Sequence, residues 1–159
     1  MYRVCELHVR AWQAAYRGIV PQDFLDGMDP AVRARRTREE SLSGQHVAES
    51  GGEVVGWLSI GPYRSADDGP DGPGPGCGEV LALYARPDRV GTGVGRALMA
   101  YGLDELGRAG LVPVLLWVLT GNDRARRFYE KAGFHPDGAT HGFRIAGVTL
   151  PEVRYRWDG

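Results

Sequence analysis

Cysteine is scarce in this chain. Cys5 and Cys77 are the only two in 159 residues, and they form no CxxC pair. That argues against a disulfide-stapled scaffold, and the two read as reduced thiols of a cytoplasmic protein. Long hydrophobic runs are missing too. No stretch reaches the roughly 20 apolar residues that span a bilayer, and no uninterrupted apolar core follows a basic lead at the N-terminus. Charge of one sign is also lacking. With 19 basic and 20 acidic residues the net charge is −1, so the bulk chain has no electrostatic attraction to nucleic acid or to an anionic membrane. No repeats and no second compositional regime appear. At 43% apolar and 25% charged, the 159 residues suit one globular domain, 1–159, with a real core.

What is present alternates between helix and strand patterns. "VCELHVRAWQAAY" (4–16) gathers Val4, Leu7, Ala11, Ala14 and Ala15 on one helical face, and Pro21 opens the next segment. "PAVRARRTREESL" (30–42) predicts a polar helix with proline at its first position. "HVAESGGEVVGWLSI" (46–60) predicts two strands around a Gly51-Gly52 hairpin turn. Residues 61–78, rich in Gly, Pro and Asp, suit no regular element. "EVLALYA" (79–85) reads as a strand. "VGRALMAYGLDELGRAG" (94–110) reads as a helix with Val94, Leu98, Tyr101 and Leu106 on its stripe and Gly110 as its stop. "VPVLLWVL" (112–119) is continuously apolar, as in a strand covered on both faces. "NDRARRFYEKAGF" (122–134) starts with Asn122 as N-cap and buries Ala125, Phe128, Tyr129 and Ala132. "GVTLPEVRYRWD" (147–158) alternates cleanly, which predicts a half-exposed strand, with Pro151 marking a bulge or an edge.

The stretch "RVGTGVGRAL" (89–98) sits between a strand and a helix. A helix N-terminus offers unpaired N–H groups and about half a positive charge, and glycines let the backbone approach an anion closely. A diphosphate is the natural guest. The Walker pattern fails, because no lysine follows the loop. The dinucleotide fingerprint fails as well, because Arg96 or Leu98 falls where its third glycine belongs, and no ribose-binding acid follows.

Two segments carry a resemblance. "YARPDRVGTGVGRALM" (84–99) is similar to the acyl-CoA-binding motif of the GCN5-related N-acetyltransferase (GNAT) family, Arg/Gln-x-x-Gly-x-Gly/Ala. "TGNDRARRFYEKAGF" (120–134) resembles the same family's later motif. "HVRAWQAAYRGIVPQDFL" (8–25) and "LPEVRYRW" (150–157) resemble its first helices and last strand, so the likeness spans nearly the whole chain. Two features depart from the pattern. Val90 stands at the Arg/Gln position, with Arg89 and Arg96 flanking it. Met1 stands almost inside the first helix, so either the sheet lacks its first strand or the recorded start is late.

The resemblance implies an α/β (α+β) fold: a mixed, mostly antiparallel sheet with a splayed parallel pair, flanked by helices. It implies transfer of an acetyl group from acetyl-CoA to a primary amine, with no metal. Leu83, Tyr84 and Ala85 would bind pantetheine through free backbone groups. Val90, Gly91, Thr92, Gly93, Val94, Gly95 and Arg96 would cradle the diphosphate, and Asn122 would contact the cofactor. Tyr129 would protonate the leaving thiolate, and Glu79, opening its strand, would serve as base through water. The acceptor is a small-molecule or peptide amine, and a homodimer is left open.

Each residue also has a plainer role: strand-to-helix turn for the glycines, cap for Asn122, core for Tyr129, exposed strand end for Glu79. Two other readings stand beside transfer, a CoA-binding module without turnover and an unrelated nucleotide-binding domain. His8, His46, His135 and His141 show no partner spacing, and His141 reads as a surface residue near the substrate wall. Asp67, Asp68 and Asp71 read as a solvated loop, and Arg33, Arg35, Arg36 and Arg38 as a solvated helix face.

Overall fold

A computed structural model describes residues 2–37, 43–64 and 73–159. Its first hairpin follows from two glycines. β1 (Gln45–Ser50) and β2 (Glu53–Pro62) are joined by Gly51 and Gly52 at φ +60° and +78°. A two-residue turn that matches strand twist needs positive φ at both positions, which glycine adopts without a Cβ penalty. β2 then pairs antiparallel with β3 (Gly78–Ala85).

The continuous apolar run forms β4 (Val114–Leu119), at the centre of a six-stranded sheet ordered β1-β2-β3-β4-β6-β5, where β5 is His135–Ile145 and β6 is Val148–Trp157. Every neighbouring pair is antiparallel except β3–β4. That parallel pair matches only at Gly78↔Val114 and Glu79↔Leu115, then the strands part. The mixed sheet, mostly antiparallel with one splayed parallel pair, is the expected architecture.

Helices cover both faces. α4 (Val94–Arg108) lies on the face that presents Gly56 and Leu58 of β2, where a Cβ on Gly56 would stand 2.7 Å from Leu98 and Val94. Leu98, Met99 and Leu106 join Leu58, Ile60, Val80, Val114, Leu116, Phe134 and Tyr155 in the main core. α5 (Asp123–Lys131) packs Ala125, Phe128 and Tyr129 against it. α1 (Tyr2–Ala15) covers the other face, setting His8 against Trp57. α2 (Gln22–Asp26) and the segment before it bury Val20 and Leu25 against Leu119. Among the described residues no strand precedes α1, and no helix is long and apolar enough to cross a membrane.

The polar helix is α3 (Pro30–Thr37), and residues 38–42 of the predicted span lie outside the described residues, as does the Asp67–Asp71 cluster. Two expectations change. Tyr101 is 45% exposed, because the buried stripe of α4 runs through Leu98, Met99, Gly102 and Leu106, one position further on. β6 is an interior strand between β4 and β5, and its polar side is covered too: Arg154 is 7% exposed. Pro151 is accommodated because the edge where it lacks an N–H faces Thr120, past the last β4 pair at Leu119↔Glu152, and its carbonyl accepts from the Thr120 N–H. The stretch before β6, for which the sequence suggests no element, forms β5, an edge strand joined to β6 through Ala146 and Gly147 at φ +49° and +78°.

Candidate active site

The parting of β3 from β4 opens a cavity of about 820 Å³. Its walls are Val80–Ala85 of β3, Trp117–Leu119 of β4, the 89–96 loop, one face of α5 and the last turn of α1 with Tyr16. β3 is paired with β2 along its length but with β4 only at its start, so past Glu79 its edge toward β4 borders the cavity.

The glycine loop forms the mouth. Chain direction is set by a 3₁₀ turn at Pro87–Arg89, anchored by Arg86, whose guanidinium donates to Asp88 at 2.6 Å and to Glu53 at 2.7 Å. Thr92 Oγ1 donates to the Arg89 carbonyl, closing the loop. Gly91 and Gly93 sit at φ +81° and +95°, and a Cβ on either would meet nothing within 4 Å. These glycines are therefore required by backbone conformation and not by crowding. Gly93 is the N-cap of α4, whose first helical bond runs from Ala97 N–H to the Gly93 carbonyl. The N–H groups of residues 94–96 precede that bond and carry the helix's positive end.

Leu83, Tyr84, Ala85, Val90, Gly91, Thr92, Gly93, Gly95, Arg96, Asn122 and Tyr129 all line this one cavity. Val94 does not, because its side chain packs over Gly56 of β2. Glu79 does not either. It is 6% exposed and accepts from the Arg64 backbone N–H at 3.1 Å and from Arg64 Nε at 3.4 Å. It stands where β3 and β4 are still paired, before the opening begins. Asn122 caps α5, its Oδ1 accepting from the Ala125 N–H at 3.2 Å.

Tyr129 packs its ring on Phe128 and Phe134. Burial pushes its phenol well above the usual tyrosine range, and the nearby Tyr84 adds to the shift. Tyr16 and Tyr84 meet with hydroxyls 3.3 Å apart, and burial raises both. The phenols around the cavity therefore stay neutral at ordinary pH.

Charge is sorted along the cavity. Arg89, Arg96, Arg124, Arg127 and Lys131 border it, while Glu152 is the sole carboxylate among the described lining residues. Arg124, Arg127 and Lys131 recur at three- and four-residue spacing, so one face of α5 presents them together. That spacing was visible in the sequence. Glu152 was not singled out there: it is one of three charged residues alternating along β6.

A family model, "Acetyltransferase (GNAT) family", matches residues 1–134. This chain belongs to the GNAT acetyltransferase family. It is an acyltransferase, and its relatives are named as such. An uncharacterised N-acetyltransferase of Bacillus subtilis is 34% identical over 97% of this chain and 85% of its own. A probable N-acetyltransferase of Mycobacterium tuberculosis is 30% identical over 97% and 86%. The acetyltransferase fold also matches the PaiA N-acetyltransferase of Thermoplasma acidophilum, solved in complex with coenzyme A, with TM-score 0.70 at 16% identity over 99% of this chain and 91% of that one.

Proposed function

We propose that this acetyltransferase moves an acetyl group from acetyl-CoA to a primary amine by direct attack in a ternary complex. The observation that carries the reading is a single cavity that joins an open strand edge, a glycine-capped helix N-terminus and a neutral, half-buried phenol. The N–H groups of the 91–96 loop and the flanking Arg89 and Arg96 suit the diphosphate, and Arg124, Arg127 and Lys131 add positive charge at the same mouth. Val90 supplies only its backbone there. Leu83, Tyr84 and Ala85 offer the edge of β3 to an extended amide-bearing arm, in the manner of an added strand.

In the transfer itself the amine lone pair attacks the thioester carbonyl, the C–N bond forms and the C–S bond breaks. The ammonium must first lose a proton, and the departing thiolate must gain one. Tyr129 supplies the second proton from its hydroxyl and recovers it from solvent. Thiol release from acetyl-CoA over a panel of primary amines tests the reading. Tight CoA binding with no thiol released by any amine would favour a binding module without turnover. A larger thermal shift with NAD or ATP than with CoA would point to a different nucleotide.

Gly93→Val is expected to raise the KM for acetyl-CoA at least tenfold. A β-branched residue is strained at φ +95° and would stand over the N–H groups of α4. Circular dichroism should show the fold retained. Equal CoA affinity in variant and wild type would remove this loop from the site.

A further inference from the structure

The geometry points to Glu152, oriented by His141, as the group that receives the acceptor ammonium and takes its proton. This inference rests on the acetyl-transfer reading above and names the chemistry of its other half.

Glu152 sits on β6 opposite Leu119 of β4, beyond the last β3–β4 pair at Leu115, and opposite His141 of β5 on its other side. His141 Nδ1 stands 3.4 Å from Glu152 Oε2. The imidazole leans on the Trp117 ring at 5.6 Å, so the carboxylate is steered by a side chain that is itself held. With its carboxylate only 16% exposed, Glu152 faces the same cavity as Tyr129. Among the described residues the groups facing it are His141 from β5, Tyr16 just after α1 and Tyr84 from β3, while β4 contributes Trp117 and Leu119. The nearest cation along β6, Arg154, donates to Asp137 at 2.7 Å. Burial holds the Glu152 carboxyl above the usual carboxylate range, and His141 pulls it back down. A raised carboxyl is a stronger base than a solvated one.

Charge sorting adds a second argument. Among the described residues five cations border the cavity and one carboxylate does, so Glu152 is where a cationic amine finds an opposite charge. Proton balance then closes. Glu152 accepts the ammonium proton, Tyr129 donates one to the thiolate, and solvent resets both.

The test combines kinetics with direct titration. Glu152→Gln is expected to lower kcat/KM for the amine about 10²-fold near neutral pH, with CoA affinity by calorimetry unchanged. The deficit should shrink as pH rises, because more amine arrives already deprotonated. His141→Ala should move the ascending limb of the pH profile to higher pH while leaving the high-pH plateau in place. A role confined to packing would lower the rate at every pH. Carbon-13 NMR of the labelled glutamate carboxyl should place Glu152 above the ordinary value of about 4.3, and higher still without His141. An active wild type whose pH profile is indifferent to Glu152→Gln, or a carboxyl titrating in the ordinary range, would overturn this inference alone. Wild type that binds CoA yet acetylates no amine would overturn the transfer reading and this one with it.

Discussion

Replacing Tyr129 by phenylalanine is expected to lower kcat about 10²-fold, with the KM for acetyl-CoA little changed. That loss corresponds to about 2.7 kcal/mol of transition-state stabilisation. The substitution isolates one hydroxyl. Ring contacts to Phe128, Phe134 and Tyr155, at centroid distances of 5.4, 6.1 and 6.4 Å, survive in the variant. The phenol borders the cavity, and burial keeps it protonated, so it enters the reaction as a donor. Losing that donor leaves the thiolate to draw its proton from water or from the amine. Steady-state thiol release across pH reads the effect directly. An unaltered kcat at every pH would leave Tyr129 as core and shift the proton source to solvent.

Acid should weaken this protein through His8. The imidazole is 4% exposed, with Trp12, Trp57 and Tyr84 around it at centroid distances of 5.3, 5.5 and 5.1 Å. Its Nδ1 has no hydrogen-bond partner among the described residues. Burial first, and the Arg33 charge second, lower its pKa to about 3. Above pH 6.5 the folded and unfolded chains both hold it neutral, and it has no effect. Below that the unfolded chain takes up a proton that the native chain refuses. Stability should then fall by about 1.4 kcal/mol per pH unit until the folded value is reached. Carboxylates add their own acid dependence, which a comparison removes. His8→Leu, similar in volume, should show an acid-side slope shallower by that amount between pH 6 and pH 4.5 in urea titrations followed by tryptophan fluorescence. Identical slopes in the two proteins would mean that His8 gains its proton without unfolding. Because His8 packs on Tyr84, acid unfolding should begin at the wall of the cavity.

The sequence was most legible where a few adjacent residues decide the backbone. Gly51 and Gly52 predicted the hairpin because only positive φ closes a two-residue turn with strand twist. Asn122 predicted the start of α5, since a short amide side chain can cap the N–H of Ala125. The apolar run 112–119 predicted the central strand, and Gly91, Gly93 and Gly95 at the start of α4 predicted the cavity mouth. β5 was missed because an edge strand of mixed, mostly exposed residues shows no alternation, and because Ala146-Gly147 is a weak turn signal. Pro151 suggested a bulge or an edge for β6 because it was weighed without knowing where β4 ends.

Glu79 and Glu152 show the same division at the site. Both are acids on predicted strands, and nothing within a few residues of either separates them. Their difference lies in the sheet. Glu79 falls where β3 and β4 still pair, so Arg64 reaches it and the cavity does not. Glu152 falls opposite Leu119, where the two strands have parted, with His141 across the β5–β6 ladder. Caps, turns and apolar runs act over one or two turns of chain, so the sequence by itself determined most of the elements and the glycine-capped start of α4, while the family resemblance pointed to most of the residues that line the cavity. Register and splay depend on packing between segments tens of residues apart. For that reason only the tertiary structure decided which acid faces the cavity, which cations gather at its mouth and which phenols stay neutral beside them.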